Sequence, residues 1–87
     1  MKKAKIGQSV LVLRRVEPKE NFWSNVWVPE MDESIGQILT IESDRDRRGV
    51  MLSNGYLYPH FVLANLKTKK QLFPNDYYIC QRRIKYE

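Results

Sequence analysis

The sequence predicts a small, mainly all-β domain made of five or six short antiparallel strands. Its 87 residues suffice for a single hydrophobic core of modest size. Hydrophobic residues make up 43% and charged residues 29%, which is typical of a folded soluble domain and not of a disordered chain. Short β-branched and aromatic runs alternate with turn signals, and no segment has the apolar periodicity of a three-turn helix.

The first predicted strand covers residues 9–16, where aliphatic residues dominate and helix caps are missing. Pro18 breaks it. The segment that follows, up to Ile35, has no regular pattern and contains Trp23 and Trp27. A first loop of this length is expected either to pack over the sheet or to bind a partner.

The second predicted strand covers residues 36–43, which alternate between apolar and polar. The alternation places Ile35, Leu39 and Ile41 on its inner face. A charged turn at residues 44–49 then leads to the third strand.

The Asn54-Gly55 pair is the strongest local signal, because Asn-Gly favours positive φ at both central turn positions. It predicts a tight hairpin between strands at residues 50–52 and 56–58. Residues 60–63, after Pro59, predict either a single helical turn or a short return strand.

The C-terminal part of the chain predicts one more strand, over residues 77–86, after a turn at residues 74–76. We therefore divide the chain into a barrel core over residues 1–66 and a basic C-terminal strand extension over residues 67–87, packed on the same domain. Five or six strands with a long first loop fit a small SH3-like barrel best.

Residues 5–66 carry a pattern of spaced aromatic and apolar residues. The pattern is Trp27-x-x-x-Met31-Asp32-x-x-Ile35-Gly36-x-Ile38 and, after a strand pair, Tyr56-x-Tyr58-Pro59-x-x-x-Leu63. It resembles the Mind-bomb-type SH3-like module and short open reading frames carried by bacteriophages. The resemblance implies a barrel fold and a phage-encoded accessory protein in the host cytoplasm, such as an RNA-binding inhibitor of a host defence or toxin–antitoxin system. The extension over residues 67–87 departs from the pattern.

Basic residues are concentrated at both ends of the chain. Residues 1–15 hold five basic and no acidic side chains, residues 16–66 hold four basic and eight acidic ones, and residues 67–87 hold six basic and two acidic ones. If the two ends pair in the fold, their charges would merge into one positive face, which attracts polyanions through phosphate contacts and counterion release. The same side chains also keep a small domain soluble, and both interpretations stay open.

Cysteine content and hydropathy narrow the class of protein. The single cysteine, Cys80, excludes an internal disulfide scaffold and a multi-cysteine zinc site. The longest aliphatic run, over residues 10–13, is far shorter than the roughly 20 residues that span a bilayer. No apolar signal-peptide segment follows the first lysines. We therefore expect a soluble, cytoplasmic protein with no membrane partner.

Catalysis is not predicted by any group of residues. His60 and Cys80 are the one pair that could act as base and nucleophile, and both are better explained as structural residues. No spacing of potential ligands predicts a metal site, and the four dispersed glycines form no phosphate-binding loop. We predict no enzymatic activity, no cofactor and no metal.

Nucleic-acid binding is the first functional prediction. RNA or single strands are preferred over duplex DNA, because no predicted helix is long enough to enter a major groove. Small barrels bind such strands by stacking bases on exposed aromatic rings beside a positive groove. The predicted stacking residues are Tyr77 and Tyr78, with Tyr86 beside them. The predicted phosphate contacts are Lys2, Lys3, Lys5, Arg14, Arg15, Arg47, Arg48, Lys67, Lys69, Lys70, Arg82, Arg83 and Lys85.

A protein-binding groove is the alternative prediction, because aromatic side chains dominate the energetics of interfaces. Its anchors would be Trp23, Trp27, Tyr56 and Tyr58. Trp23 is expected to be the more exposed of the two tryptophans, and the acidic residues of the segment 30–33 would select a basic partner. A homodimer would form if the strand over residues 77–86 paired with its copy.

Overall fold

The computed structural model describes residues 3–17 and 19–79 of the chain. Five strands form one antiparallel sheet: β1 (Ser9–Val12), β2 (Ile38–Asp44), β3 (Val50–Leu52), β4 (Leu57–Tyr58) and β5 (Leu63–Ala64). Their order in space is β4-β3-β2-β1-β5, and within the described residues no pairing of β4 with β5 closes the sheet. This sheet confirms the prediction of a mainly all-β domain.

β2 is the central strand and divides its length between two neighbours. Its first half pairs with β1, with Leu39 opposite Val10, and its second half pairs with β3, with Ile41 opposite Leu52. A register shift after Ile41 marks an irregularity of the bulge type, which bends and twists a strand. The bend allows a sheet of five short strands to curl around one core.

The inner face of β2 is shorter than predicted. Ile41 is buried and Leu39 is half-buried, but Ile35 is 37% exposed. The reason is that Ile35 lies in a turn, and the strand begins only at Ile38, so the alternation along β2 does not extend to Ile35.

The long first loop packs against the sheet, which is one of its two expected roles. Short 3-10 helices cover Glu20–Phe22 and Pro29–Ser34. The indole N–H of Trp23 donates a hydrogen bond to the carbonyl oxygen of Arg48 at 2.6 Å, between the loop and the turn before β3. Trp23 is fully buried, so the prediction that it is the more exposed tryptophan is wrong. Because its indole N–H finds an acceptor inside the protein, full burial leaves no polar group of this side chain unsatisfied.

The hairpin between β3 and β4 forms where Asn54-Gly55 predicts it, but with a different turn. Only Gly55 has positive φ, at 86°, and its N–H donates to the carbonyl oxygen of Leu52 at 2.9 Å. Asn54 instead uses its side chain, whose Nδ2 donates to the hydroxyl of Tyr58 at 2.8 Å. The positive φ expected at Asn54 is therefore absent, and a single left-handed glycine completes the connection over residues 53–55.

The structure contains both elements that were predicted as alternatives for residues 60–63, a helical turn and a short strand. A 3-10 helix over His60–Val62 precedes β5. Beyond β5, Gln71 forms a bridge with Ala64, so the chain folds back along the outer edge of that strand.

Residues 77–79, the last ones described, are helical. The prediction that a strand begins at Tyr77 is therefore wrong over these residues. The N–H of Tyr77 donates to the carbonyl oxygen of Pro74 at 3.1 Å, which begins a helical turn. The rest of the predicted strand, and with it the edge proposed for a homodimer, lies outside the described residues.

Aromatic side chains form a large part of the core in the described residues. Its buried cluster contains the aromatic residues Trp23, Trp27, Tyr58, Phe61, Phe73, Tyr77 and Tyr78. The extension over residues 67–87 contributes three of them, so its described part belongs to the same core as the sheet. No helix in the described part of the chain is long and apolar enough to cross a membrane.

Candidate functional site

The two tyrosines predicted to stack on bases are core residues. Tyr77 is 1% and Tyr78 0% exposed. The ring of Tyr77 stacks on the imidazole of His60, with 4.4 Å between ring centroids, and Phe73 packs edge-on against the same imidazole. Base stacking needs an open aromatic face. Neither tyrosine offers one, and this part of the prediction is corrected.

His60 joins these tyrosines to the sheet through a hydrogen-bonded chain. Its backbone N–H donates to the hydroxyl of Tyr78 at 2.8 Å, and its Nδ1 lies 2.7 Å from the same hydroxyl. Its Nε2 lies 3.2 Å from Oδ2 of Asp44, the last residue of β2. Because the Tyr78 hydroxyl already accepts the backbone N–H, it can give its own proton to Nδ1. The proton of the neutral imidazole then sits on Nε2 and is donated to Asp44.

Burial strongly affects the pKa values of the side chains in this hydrogen-bonded series and of Tyr77 beside it. It lowers the pKa of His60, and it outweighs the hydrogen bond to Asp44 and the negative fields of Asp44 and Asp46, which act in the opposite direction. Burial also raises the pKa of Tyr77 to about 12 and raises that of Tyr78. For Asp44, burial opposes ionisation, but the interactions with His60 and the backbone N–H groups of Asp46 and Ala4 prevail and lower its pKa. A neutral imidazole and an ionised carboxylate result at neutral pH.

The series Asp44–His60–Tyr78 resembles an acid–base relay, but its burial favours a structural role. Both His60 and Tyr78 are 0% exposed, so a substrate atom cannot come within the hydrogen-bond reach that proton transfer requires. Asp44 also accepts the N–H of Ala4 at 3.1 Å. The chain of hydrogen bonds therefore ties both the N-terminal segment and the C-terminal segment to the sheet. Cys80, the other residue of the pair considered for catalysis, lies outside the described residues.

Metal binding finds no support in the described part of the chain, where no three His, Cys, Asp or Glu side chains converge. The carboxylate nearest His60, that of Asp44, belongs to the hydrogen-bonded chain already described.

The predicted phosphate contacts fall into separate groups. Lys2, Arg82, Arg83 and Lys85 lie outside the described residues. Arg14 forms an ion pair with Glu20 at 3.1 Å, and Arg15 forms one with Asp32 at 3.7 Å. These two ion pairs reduce the positive field that β1 and the following residues present.

The exposed lysines Lys67, Lys69 and Lys70 share one tight loop, residues 65–70, which we call the lysine loop. Asn65 closes it: the Asn65 N–H donates to the carbonyl oxygen of Lys70, and the Lys69 N–H donates to the carbonyl oxygen of Asn65, both at 2.9 Å. The side-chain oxygen of Asn65 accepts the N–H groups of Lys67 and Thr68 at 2.9 and 3.1 Å. None of the three ammonium groups pairs with a described carboxylate.

Strand pairing brings the N-terminal lysines to the same end of the sheet as the lysine loop. β5 ends at Ala64, which lies opposite Leu11, so in this antiparallel pair the lysine loop leaves the sheet at the end where β1 begins. Lys5 precedes β1 there. The Gly7 N–H donates to the carbonyl oxygen of Ile41 at 2.8 Å, which holds the N-terminal segment along β2.

The turn between β2 and β3 adds further basic side chains beside the N-terminal segment. Ala4 is hydrogen-bonded to Asp44, and a 3-10 helix over Asp46–Arg48 follows that residue closely. Lys3, next to Ala4, and Arg48 are both exposed. Asp46 in the same helix weakens the local positive field.

Most of the alternative protein-binding groove is buried. Trp23, Trp27 and Tyr58 lie in the core, and their faces are packed against other side chains. The indole N–H of Trp27 donates to Oδ1 of Asp32 at 2.7 Å. Phe22 is 50% exposed, in the place expected for Trp23. Of the four predicted anchors, Tyr56 alone is partly exposed.

Tyr56 lines a cleft of about 390 Å³ between the 3-10 helix Pro29–Ser34 and the β3–β4 hairpin. The other lining residues are Glu30, Glu33, Ser34, Gln37, Leu39 and Asn54. The polar members Ser34, Gln37 and Asn54 were not predicted, because nothing local in the sequence marks them as neighbours of an acidic helix. Asn65 was not predicted either, although Asn before a turn is a known signal for a side-chain-capped loop.

Comparisons of the chain with protein-family models, with curated proteins and with solved structures found no match.

Proposed function

We propose that this protein is a non-enzymatic SH3-like barrel that binds RNA or single-stranded nucleic acid through the phosphate backbone. The strand order, the long first loop and the 3-10 helix before the last strand support the SH3-like assignment. The accessory, host-modulating role implied by the resemblance belongs to the same proposal.

The lysine loop is the observation that carries the nucleic-acid assignment. Three exposed ammonium groups without carboxylate partners among the described residues sit on a backbone that is fixed by hydrogen bonds to Asn65. Phosphate contacts of this kind release counterions and dominate affinity without reading sequence. Since Tyr77 and Tyr78 are buried, binding should depend strongly on salt and weakly on base identity.

The test is a titration of a fluorescently labelled uridine oligonucleotide of about 12 nucleotides, a length that a small barrel can contact, over a range of salt concentrations. The variant Lys67→Gln/Lys70→Gln removes two charges from the lysine loop and leaves Lys69, whose φ is 59°, untouched. We expect the slope of log affinity against log salt to become shallower by about 0.7 for each phosphate that the variant no longer neutralises.

Arg14→Gln/Arg15→Gln is the matched control, since it removes the same charge from two side chains that are already ion-paired. The proposal requires the lysine variant to lose clearly more affinity than the arginine variant. Equal losses would indicate that net charge alone governs binding, and no binding by the unmodified protein at low salt would overturn the proposal.

A further inference from the structure

The cleft beside Tyr56 has acidic groups that the fold does not use. Three carboxylates lie on the 3-10 helix Pro29–Ser34. Asp32 accepts the indole N–H of Trp27 and pairs with Arg15. Glu30 and Glu33 are exposed, line the cleft, and form no ion pair or side-chain hydrogen bond with another described residue.

The spacing of these two glutamates directs them to the same side. Side chains three residues apart eclipse one another in a 3-10 helix. Glu30 and Glu33 are three residues apart, and Asp32 between them faces Trp27 instead. The rim of the cleft therefore presents two adjacent negative charges.

Hydrogen bonds join the two walls of the cleft. Nδ2 of Asn54 donates to the hydroxyl of Tyr58 at 2.8 Å, and that hydroxyl donates to Oγ of Ser34 at 2.7 Å. The Ser34 hydroxyl in turn donates to the carbonyl oxygen of Met31 at 2.5 Å. This chain links the hairpin to the acidic helix, so the two walls keep their separation without a ligand.

The remaining wall is apolar and aromatic. Leu39 and Tyr56 are half-buried and pack against the core on one side. An aromatic face beside two carboxylates suits an arginine or lysine side chain, whose charged end pairs with the carboxylates and whose aliphatic part covers the apolar surface. A volume of about 390 Å³ lies within the range of pockets that hold small ligands, so one or two such side chains fit.

We propose that this cleft binds a basic segment of a partner protein by placing an arginine or lysine side chain between Glu30, Glu33 and the ring of Tyr56. Nucleic acid is disfavoured in this cleft, because the unpaired carboxylates would repel its phosphates. The cleft is thus a second site, separate from the lysine loop and independent of the function proposed for it.

The probe is a blocked hexapeptide of alternating arginine and glycine, titrated into the full chain while backbone amide shifts are followed by heteronuclear NMR. We expect saturable shifts centred on Ser34, Asn54 and Tyr56. A hexapeptide of alternating glutamate and glycine should produce none. Peptide binding should persist in Lys67→Gln/Lys70→Gln, which separates this proposal from the nucleic-acid assignment.

Two variants of cleft residues and one control variant test the chemistry. Glu30→Gln/Glu33→Gln keeps both side chains in place and should weaken peptide binding by about tenfold or more, because both charges are removed. Glu17→Gln/Glu42→Gln removes the same charge from exposed glutamates outside the cleft and should leave binding unchanged. Tyr56→Leu, which keeps an apolar wall without an aromatic face, should weaken binding by about threefold.

Three outcomes would overturn the proposal. The first is equal weakening in the two double-glutamate variants, which would reduce the effect to net charge. The second is a uridine oligonucleotide shifting the cleft amides more strongly than the arginine peptide does. The third is a set of cleft shifts that depend on protein concentration alone, which would make a second copy of the chain the occupant.

Discussion

The hydroxyl of Tyr78 lies 2.7 Å from Nδ1 of His60 and accepts the backbone N–H of the same histidine at 2.8 Å. One side-chain oxygen thereby satisfies two buried polar groups of a residue 18 positions earlier in the chain. Buried polar groups left without partners are costly. The Tyr78 hydroxyl therefore couples the C-terminal segment to the 3-10 helix before β5.

Tyr78→Phe should destabilise the fold by about 1–3 kcal/mol, because it leaves the buried N–H and Nδ1 of His60 without this partner. Urea unfolding followed by tryptophan fluorescence measures the change. Tyr56→Phe is the control: its hydroxyl makes no hydrogen bond with another described residue, and the same deletion there should change stability by less than about 0.5 kcal/mol. If the two substitutions cost the same, the Tyr78 hydroxyl does not have this role.

Stability should fall as the pH drops below 6.5, the ordinary pKa of histidine. Burial lowers the pKa of His60, so between that lowered pKa and the ordinary value the unfolded chain binds a proton that the folded chain does not. The contribution is complete above the ordinary value and is lost as the pH falls. The largest slope for one such group is about 1.4 kcal/mol per pH unit.

His60→Gln tests this assignment, since His60 is the one histidine in the chain. Urea midpoints measured between about pH 5 and 8 should vary with pH in the unmodified protein and stay nearly flat in the variant, because the carboxylates titrate lower. An unchanged pH dependence in His60→Gln would contradict the assignment, as would a gain of stability on acidification.

Gly49→Ala should be among the most damaging single substitutions in the chain. Gly49 has φ of 111°, and an added Cβ would overlap the carbonyl oxygen of Tyr58 and lie 3.1 Å from the indole nitrogen of Trp23. We expect a loss of about 3 kcal/mol or more in the free energy of unfolding. Gly36→Ala, with φ of 83° and open space around the added carbon, should cost only about 1 kcal/mol. Similar midpoints for the two variants would exclude the steric explanation.

Local patterns predicted β1 to β4 and the hairpin, since alternation and the Asn54-Gly55 pair act over a few residues. They failed for Trp23, whose burial depends on the carbonyl oxygen of Arg48, 25 residues away. They failed again for Tyr77 and Tyr78, because a run of aromatic and β-branched residues such as 77–79 fits a strand as well as a packed helical turn. The side chain against which both tyrosines pack, that of His60, is distant from them in the sequence.

The two candidate sites also differ in how much of each could be predicted from the sequence. The charge at both chain ends could be predicted from the sequence, and β1–β5 pairing places Lys5 and the lysine loop at the same end of the sheet. For the cleft, Tyr56 and the acidic segment 30–33 were predicted from the sequence, but Ser34, Gln37 and Asn54 were not. The two walls come from the first loop and from a hairpin, joined by the Tyr58–Ser34 hydrogen bond between residues 24 positions apart. Such contacts follow from tertiary packing and leave no local signal.

Asn65→Ala should weaken oligonucleotide binding without changing the charge of the protein. The side-chain oxygen of Asn65 holds the N–H groups of Lys67 and Thr68, and its removal frees the lysine loop to sample other conformations. Two exposed hydrogen bonds are removed, but the two backbone hydrogen bonds that close the loop remain, so we expect a modest loss of affinity, about threefold, in the same fluorescence titration. Asn75→Ala, which removes a side-chain hydrogen bond to Gln71 outside the loop, is the control. Unchanged affinity in Asn65→Ala would mean that the lysines act as independent mobile charges, and that the fixed backbone of the loop has no part in binding.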